Sequence, residues 1–85
     1  MAKIDLMEDG DKKRFYFICP GCDEGHAFSE AWTFNHDFEK PTVNPSVRVK
    51  SVKGTCHFYI RDGKIMFLND CWHTLKGQTV EMLDV

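Results

Sequence analysis

Much is missing from this 85-residue sequence, and each absence excludes something. No apolar run approaches the roughly 20 residues that a membrane-spanning helix requires. The opening Met-Ala-Lys-Ile-Asp lacks the apolar stretch of a secretory signal. The reading is therefore a cytoplasmic protein with no membrane partner. Excess positive charge is also missing: 11 Lys and Arg against 13 Asp and Glu leave a net charge of −2. That balance argues against a general phosphate-binding surface. There is no internal repeat, no low-complexity tract, no linker and no convincing helical periodicity of ordinary length. Familiar catalytic signatures fail as well. The chain has no H-E-x-x-H, no glycine-rich phosphate loop and no G-x-S-x-G elbow. None of His26, His36, His57 and His73 has Glu two residues on, and no Pro precedes Cys19, so the zinc-deaminase pattern fails.

What is present is four cysteines in a chain too short to bury a large core. A domain of this size is marginal unless something staples it. Cys19-Pro20-Gly21-Cys22 places two thiols either side of a Pro-Gly turn, the usual way of aiming two sulfurs at one ion. In a reducing compartment, paired cysteines favour a metal over a disulfide. A redox Cys-x-x-Cys normally opens a helix, and Asp23-Glu24-Gly25 is poor helix material.

The strand pattern says where the other two cysteines go. Residues 3–7 and 13–19 read as strands joined by a turn at Gly10. Alternation puts Phe15, Phe17 and Cys19 on one face. Residues 26–28 and 31–34 read as short strands. Residues 38–46 hold Pro41 and Pro45 and read as an extended loop wrapping the sheet. A strand over 46–52 follows. Residues 55–61 and 64–69 flank Asp62-Gly63, the dipeptide of a two-residue type I′ hairpin. That turn sets Arg61 opposite Lys64, Ile60 opposite Ile65 and Phe58 opposite Phe67. Cys56 then shares the core face, Cys71 emerges beside it, and His57 points the other way. Residues 72–78 read as a turn or one short helical turn, and 78–83 as a last strand.

The expected fold is thus mainly β: residues 1–85 as one small antiparallel domain of hairpins clamped by a single Zn2+ site. The first-choice ligands are Cys19, Cys22, Cys56 and Cys71, with His73 or His57 as alternates for one place. Nucleic-acid binding is a second reading, through Arg48, Lys50, Lys53 and Arg61 near Tyr59. A protein partner is favoured over it, on the hairpin's outer face of His57, Tyr59, Met66 and Leu68, unless the N-terminal hairpin covers that face. His26, His36, Asp37 and Asp70 are read as hydrogen-bonding loop residues.

The chain also resembles a family of small phage- and prophage-encoded proteins. The resemblance rests on Cys19-Pro20-Gly21-Cys22 with Gly25-His26, Trp32-Thr33-Phe34-Asn35, Lys40-Pro41-Thr42 and Asn44-Pro45-Ser46. It continues through Cys56-His57-Phe58, Ile60 to Ile65 and Asp70-Cys71-Trp72-His73 to Gly77-Gln78-Thr79-Val80. Members often carry the label ammonia monooxygenase, for which these residues offer no support. Relatives occur beside bacterial ubiquitin-like conjugation genes, which implies a metal-binding adaptor role. The resemblance implies that Cys19, Cys22, Cys56, His57, Cys71 and His73 are the positions to test; His36 stands where a small residue is expected. Together these features lead to the expectation of a non-enzymatic, zinc-stabilised protein-interaction module in the host cytoplasm, with a nucleic-acid binder or a small metalloenzyme as alternatives.

Overall fold

The computed structural model describes residues 2–85. Among them, eight strands form two antiparallel sheets, and there is no helix. The first sheet runs β1 (Asp5–Asp9), β2 (Lys12–Cys19), β3 (Glu24–Ser29) in sequence order. The second runs β4 (Thr33–Phe34), β5 (Val43–Ser51), β6 (Gly54–Arg61), β7 (Lys64–Phe67), β8 (Thr79–Glu81), also in order. Within each sheet every connection joins neighbouring antiparallel strands, through tight turns at β1–β2, β2–β3, β5–β6 and β6–β7 and longer loops at β4–β5 and β7–β8.

Turn chemistry fixes the registers. Asp62 and Gly63 both take positive φ, 50° and 78°, as a type I′ turn demands. The resulting pairs are Arg61–Lys64, Ile60–Ile65 and Phe58–Phe67, as the Asp-Gly signal dictates. Ser51 pairs with Gly54 across a second two-residue loop, which sets Val49 opposite Cys56, Arg48 opposite His57 and Val47 opposite Phe58.

Alternation then sorts the side chains. Phe15, Phe17 and Cys19 of β2, Phe28 of β3, Val43 and Val47 of β5, Cys56, Phe58 and Ile60 of β6, and Ile65 and Phe67 of β7 are buried between the sheets. Aromatic rings fill much of this space. Phe15 lies 4.8 Å from Phe34 and 5.2 Å from Phe28 between ring centroids. Phe17 meets Phe58 edge-on at 5.6 Å, a geometry that aromatic quadrupoles favour. The N-terminal hairpin therefore packs on the inner face of the second sheet and leaves the outer face open.

One expectation is corrected. The loop placed over 38–46 ends at Thr42, and β5 begins at Val43 with Pro45 inside it. The strand tolerates proline because its ladder is interrupted there. Val43 pairs with Ile60 and Val47 with Phe58, so Asn44, Pro45 and Ser46 together face the single residue Tyr59. A bulge of this kind leaves residues outside the regular pairing and re-aims side chains.

Phe58 is fully buried against Phe17 and Phe67. Phe58→Ala is expected to cost about 3–5 kcal/mol, a large part of the stability of a domain this small. Denaturant unfolding of the two proteins measures it.

Candidate functional site

Strand β6 carries two different kinds of chemistry on its two faces. On the inner face, the Cys19–Cys22 knuckle meets Cys56. Sγ of Cys19 and of Cys56 lie 3.9 Å apart, both side chains fully buried. The knuckle is held by the Asp23 N–H, which donates to the Cys19 carbonyl at 2.9 Å, and by the Cys22 N–H, which donates to Cys19 Sγ at 3.4 Å. Asp23 takes φ 57° to close that turn.

The fourth member of this group is His26. Cys19, Cys22, His26 and Cys56 are all buried, and their ligand atoms lie within 4.8 Å of one another. They could hold a metal ion. His26 Nδ1 is 3.0 Å from the Gly25 carbonyl oxygen, which can only accept, so the proton sits on Nδ1. Nε2 is then a bare lone pair, and it is buried with no hydrogen-bond partner. An orphaned buried imidazole nitrogen beside three thiols is the donor set of a soft-metal site. The Nδ1–H to carbonyl bond is the usual means of orienting such a ligand.

A second group, Cys56, Cys71 and His73, shares Cys56 with the first. His73 Nδ1 accepts the Leu75 N–H at 3.3 Å, which leaves the ring proton on Nε2. That N–H points at Cys56 Sγ, 3.5 Å away. His73 thus acts as a donor to the Cys56 sulfur. Cys71 is turned toward backbone: its thiol donates to the His57 carbonyl at 2.9 Å and accepts the His57 N–H at 3.2 Å. Trp72 adds a donor to the knuckle, its indole N–H reaching Cys22 Sγ at 3.4 Å.

Electrostatics within the thiol group are coupled. The hydrogen bond between Cys19 and Cys56 holds the Cys19 thiol well below its usual range. The same contact, with burial, pushes Cys56 up. Burial raises Cys22.

On the outer face lies an arrangement of another kind. The Ser46 hydroxyl is 3.0 Å from His57 Nε2. His57 Nδ1 is 3.1 Å from Asp70 Oδ2. A carboxylate only accepts, so His57 carries its proton on Nδ1 and presents a lone pair at Nε2 to the Ser46 O–H. This is the serine–histidine–aspartate geometry of acyl-transfer enzymes, recognised by roles and not by order along the chain. The bulge in β5 delivers Ser46 to the position diagonal to His57, within reach of an imidazole. Asp70 arrives on the turn after β7. Its neighbour Cys71 is bonded to the main chain of His57, and Leu68 N–H donates to the same carbonyl at 2.9 Å.

The residues of this outer arrangement had been assigned elsewhere or passed over. His57, an alternate metal ligand by sequence, belongs to neither thiol group. Asp70 and His26, both read as loop residues, turn out to face the outer histidine and the thiols respectively. Ser46 enters the sequence reading only within Asn44-Pro45-Ser46, with no chemical role. His36 and Asp37 lie outside both groups, with Asp37 capping the turn at Glu39 and Lys40.

Comparison with known proteins bears directly on this geometry. A family model described as "Bacterial ubiquitination-like system serine protease (BubE)" matches residues 2–68. The chain belongs to the BubE family. Comparison with curated proteins and with solved structures found no match. The BubE match covers Ser46 and His57 and ends two residues before Asp70. It overturns the expectation of a non-enzymatic interaction module, because the family is named for a protease. Of the earlier resemblance, the link to bacterial ubiquitin-like conjugation is the part that the match carries.

Gly21 tests the packing of the knuckle. A Cβ there would sit 2.2–2.5 Å from ring atoms of His73, closer than any real contact. Gly21→Ala is expected to destabilise the fold by about 1–3 kcal/mol through overpacking. Gly21 does not take a positive φ, so its loss reads the clash, whereas Gly10→Ala, at φ 62° with no atom within 4 Å of the added Cβ, reads the cost of conformation alone. Thermal melts of both variants give the comparison.

Proposed function

We propose that this chain is a serine hydrolase acting on peptide or related acyl bonds, with Ser46 as nucleophile, His57 as general base and Asp70 as the group that orients His57. The observation that carries the reading is the continuous contact Ser46 Oγ–His57 Nε2–His57 Nδ1–Asp70, at 3.0 Å and 3.1 Å. The family's description as a serine protease supports it independently.

In this reaction Ser46 Oγ attacks the substrate carbonyl while its proton passes to His57 Nε2. The imidazolium so formed is held by Asp70 and returns the proton to the leaving group. The acyl group then sits on Ser46 as an ester until water, deprotonated by the same nitrogen, releases it. Asp70 is 55% exposed, so solvent screens its charge. Its main contribution is to fix the tautomer and the ring plane.

The inner cluster is proposed to hold Zn2+ through Cys19, Cys22, Cys56 and His26. Three thiolates and one imidazole fill a tetrahedral site and leave no position for substrate. The metal would supply folding energy, on the order of 10 kcal/mol for such sites. The acyl chemistry is left to the outer face. His73 and Trp72 would donate to the ligand sulfurs from outside the shell.

Two outcomes test these assignments. A fluorophosphonate probe should label the wild-type protein at Ser46 and fail to label Ser46→Ala. Ester turnover should fall by at least about a thousandfold in either Ser46→Ala or His57→Ala, and the double variant should be no worse, since the pair works as a unit. Labelling of Ser46→Ala at the wild-type rate would refute the nucleophile. For the metal, elemental analysis of untagged protein should give one zinc per chain in the wild type and in Cys71→Ser. His26→Ala should lose it and unfold at lower temperature. The reverse pattern would assign the fourth place to Cys71.

A further inference from the structure

The nucleophile sits where a well-paired strand gives way to an uncovered edge. Strand β5 runs from Val43 to Ser51, but β4 pairs only with Val43 and Asn44. From Ser46 onward, one side of β5 has no strand beside it among the described residues. The hairpin phase says which groups face that side. Ser51–Gly54 closes a two-residue loop and is therefore a hydrogen-bonded pair. Alternation makes Val49–Cys56 and Val47–Phe58 bonded pairs too, and turns the main-chain groups of Arg48 and Lys50 away from β6. The far side of β6 agrees: the His57 carbonyl accepts from Leu68, just past the end of β7, so it does not face Arg48. No backbone hydrogen bond to Arg48 or Lys50 from outside the strand pairing is found among the described residues. The Ser46 carbonyl is taken by the Trp32 indole N–H at 3.2 Å, which marks where the open stretch begins.

Side chains along the same stretch add charge. Arg48 and Lys50 are exposed and share the outer face with His57, which pairs directly opposite Arg48. Neither forms an ion pair among the described residues. Two unpaired cations beside the nucleophile stand against the net charge of −2 for the whole chain. Charged side chains on an open edge also repel a second copy of the same edge, so exclusion of self and admission of an oppositely charged strand are compatible.

We propose that the substrate of the Ser46 site binds as an extended acidic segment, which adds a strand to the open edge of β5 at Arg48 and Lys50. The proposal rests on the hydrolase reading for its chemistry. The added strand takes the free N–H and C=O groups of Arg48 and Lys50, the β-augmentation mode of peptide recognition. Residues of a strand rise about 3.3 Å each. A segment paired at Arg48 therefore carries one of its own carbonyls to Ser46, two residues along. Carboxylates on alternate positions of the segment meet the guanidinium and the ammonium. Main-chain pairing supplies register, and the cations supply selection among sequences.

Binding is measured apart from chemistry, by fluorescence anisotropy of labelled peptides on the inactive Ser46→Ala protein. The probes are an octapeptide of alternating Glu and Val, its Lys-Val counterpart, and a Glu-Val peptide N-methylated at every second backbone amide, in both phases. The Glu-Val peptide should bind at least about tenfold more tightly than the Lys-Val peptide. Arg48→Glu/Lys50→Glu should abolish or invert that preference without lowering the melting temperature. One phase of N-methylation should remove binding and the other should spare it. Equal affinity for the two charges, indifference to both methylation phases, or no binding of the acidic peptide would each overturn the proposal. Fluorophosphonate labelling of wild type and of Arg48→Glu/Lys50→Glu is run beside it. The small probe needs no strand pairing, so normal labelling of both proteins, with no acidic-peptide binding while Arg48 and Lys50 are intact, rejects the edge alone. Failed labelling with normal binding rejects the nucleophile instead.

Discussion

The alternation of β6 is the constraint on which both sites depend. Successive residues of a strand point to opposite faces, and here Cys56 and His57 are successive. Cys56 turns inward to the thiol group, and His57 turns outward to Ser46 and Asp70. A single peptide unit therefore ties the fastening of the fold to the proposed base. A slip of one residue in β6 would exchange the two faces. It would expose a thiol to solvent and bury an imidazole among phenylalanines. The Asp62-Gly63 turn on one side and the Ser51–Gly54 loop on the other hold the strand against that slip.

The same parity explains what the sequence disclosed and what it hid. The Asp-Gly turn made the β6–β7 register legible, and with it the inward direction of Cys56, Phe58, Ile65 and Phe67. The rule also put His57 on the outer face, and residue 70 has the parity of the outward-facing Met66. An outward His–Asp pair is therefore present in that register, although nothing local marks it as a pair. Ser46 was harder to see. Reaching it requires the pairing of β5 with β6 and a bulge whose position depends on how three residues at 44–46 are set against Tyr59. No local propensity encodes that. Pro45 argued for a loop, and the rule it invoked holds for regular ladders and not for bulges. His26 was hidden by a different cause. Its role depends on the pairing of β2 with β3, where it faces Phe17, and on the tautomer set by its own neighbour's carbonyl.

The thiol group is set against a wall of aromatic rings on the inner face of β6. His26 stacks on Phe58 at 6.0 Å and meets Phe17 edge-on at 5.9 Å, so the proposed ligand is wedged among core side chains. A ligand so placed cannot swing away without disturbing the core. In a chain of 85 residues, a core of this size leaves little stability to spare. Fastening the knuckle to β6 at the open end of the second sheet closes the side where no turn joins the two sheets. The proposed metal and the packing would then stabilise the same rigid base beneath β6.

That rigidity bears on how an exposed aspartate can serve in a triad. Just over half of the Asp70 side chain is exposed, so its Coulombic attraction to an imidazolium is screened. Asp70 sets the tautomer and ring plane of His57 through its hydrogen bond, and the main chain of His57 needs a hold of its own. Cys71 supplies it: one sulfur bonds both the N–H and the carbonyl of His57, occupying the place that the end of β7 would hold if the strand continued. The thiol replaces a missing ladder rung. It also anchors the residue directly after Asp70, so the acid is carried to Nδ1 by the same contact that steadies the base. Cys71 was expected among the metal ligands because parity brought it beside Cys56. Its bonds to His57 give it a structural task as well, in which a small, buried, weakly polar side chain takes the His57 N–H and shares the His57 carbonyl with the Leu68 N–H.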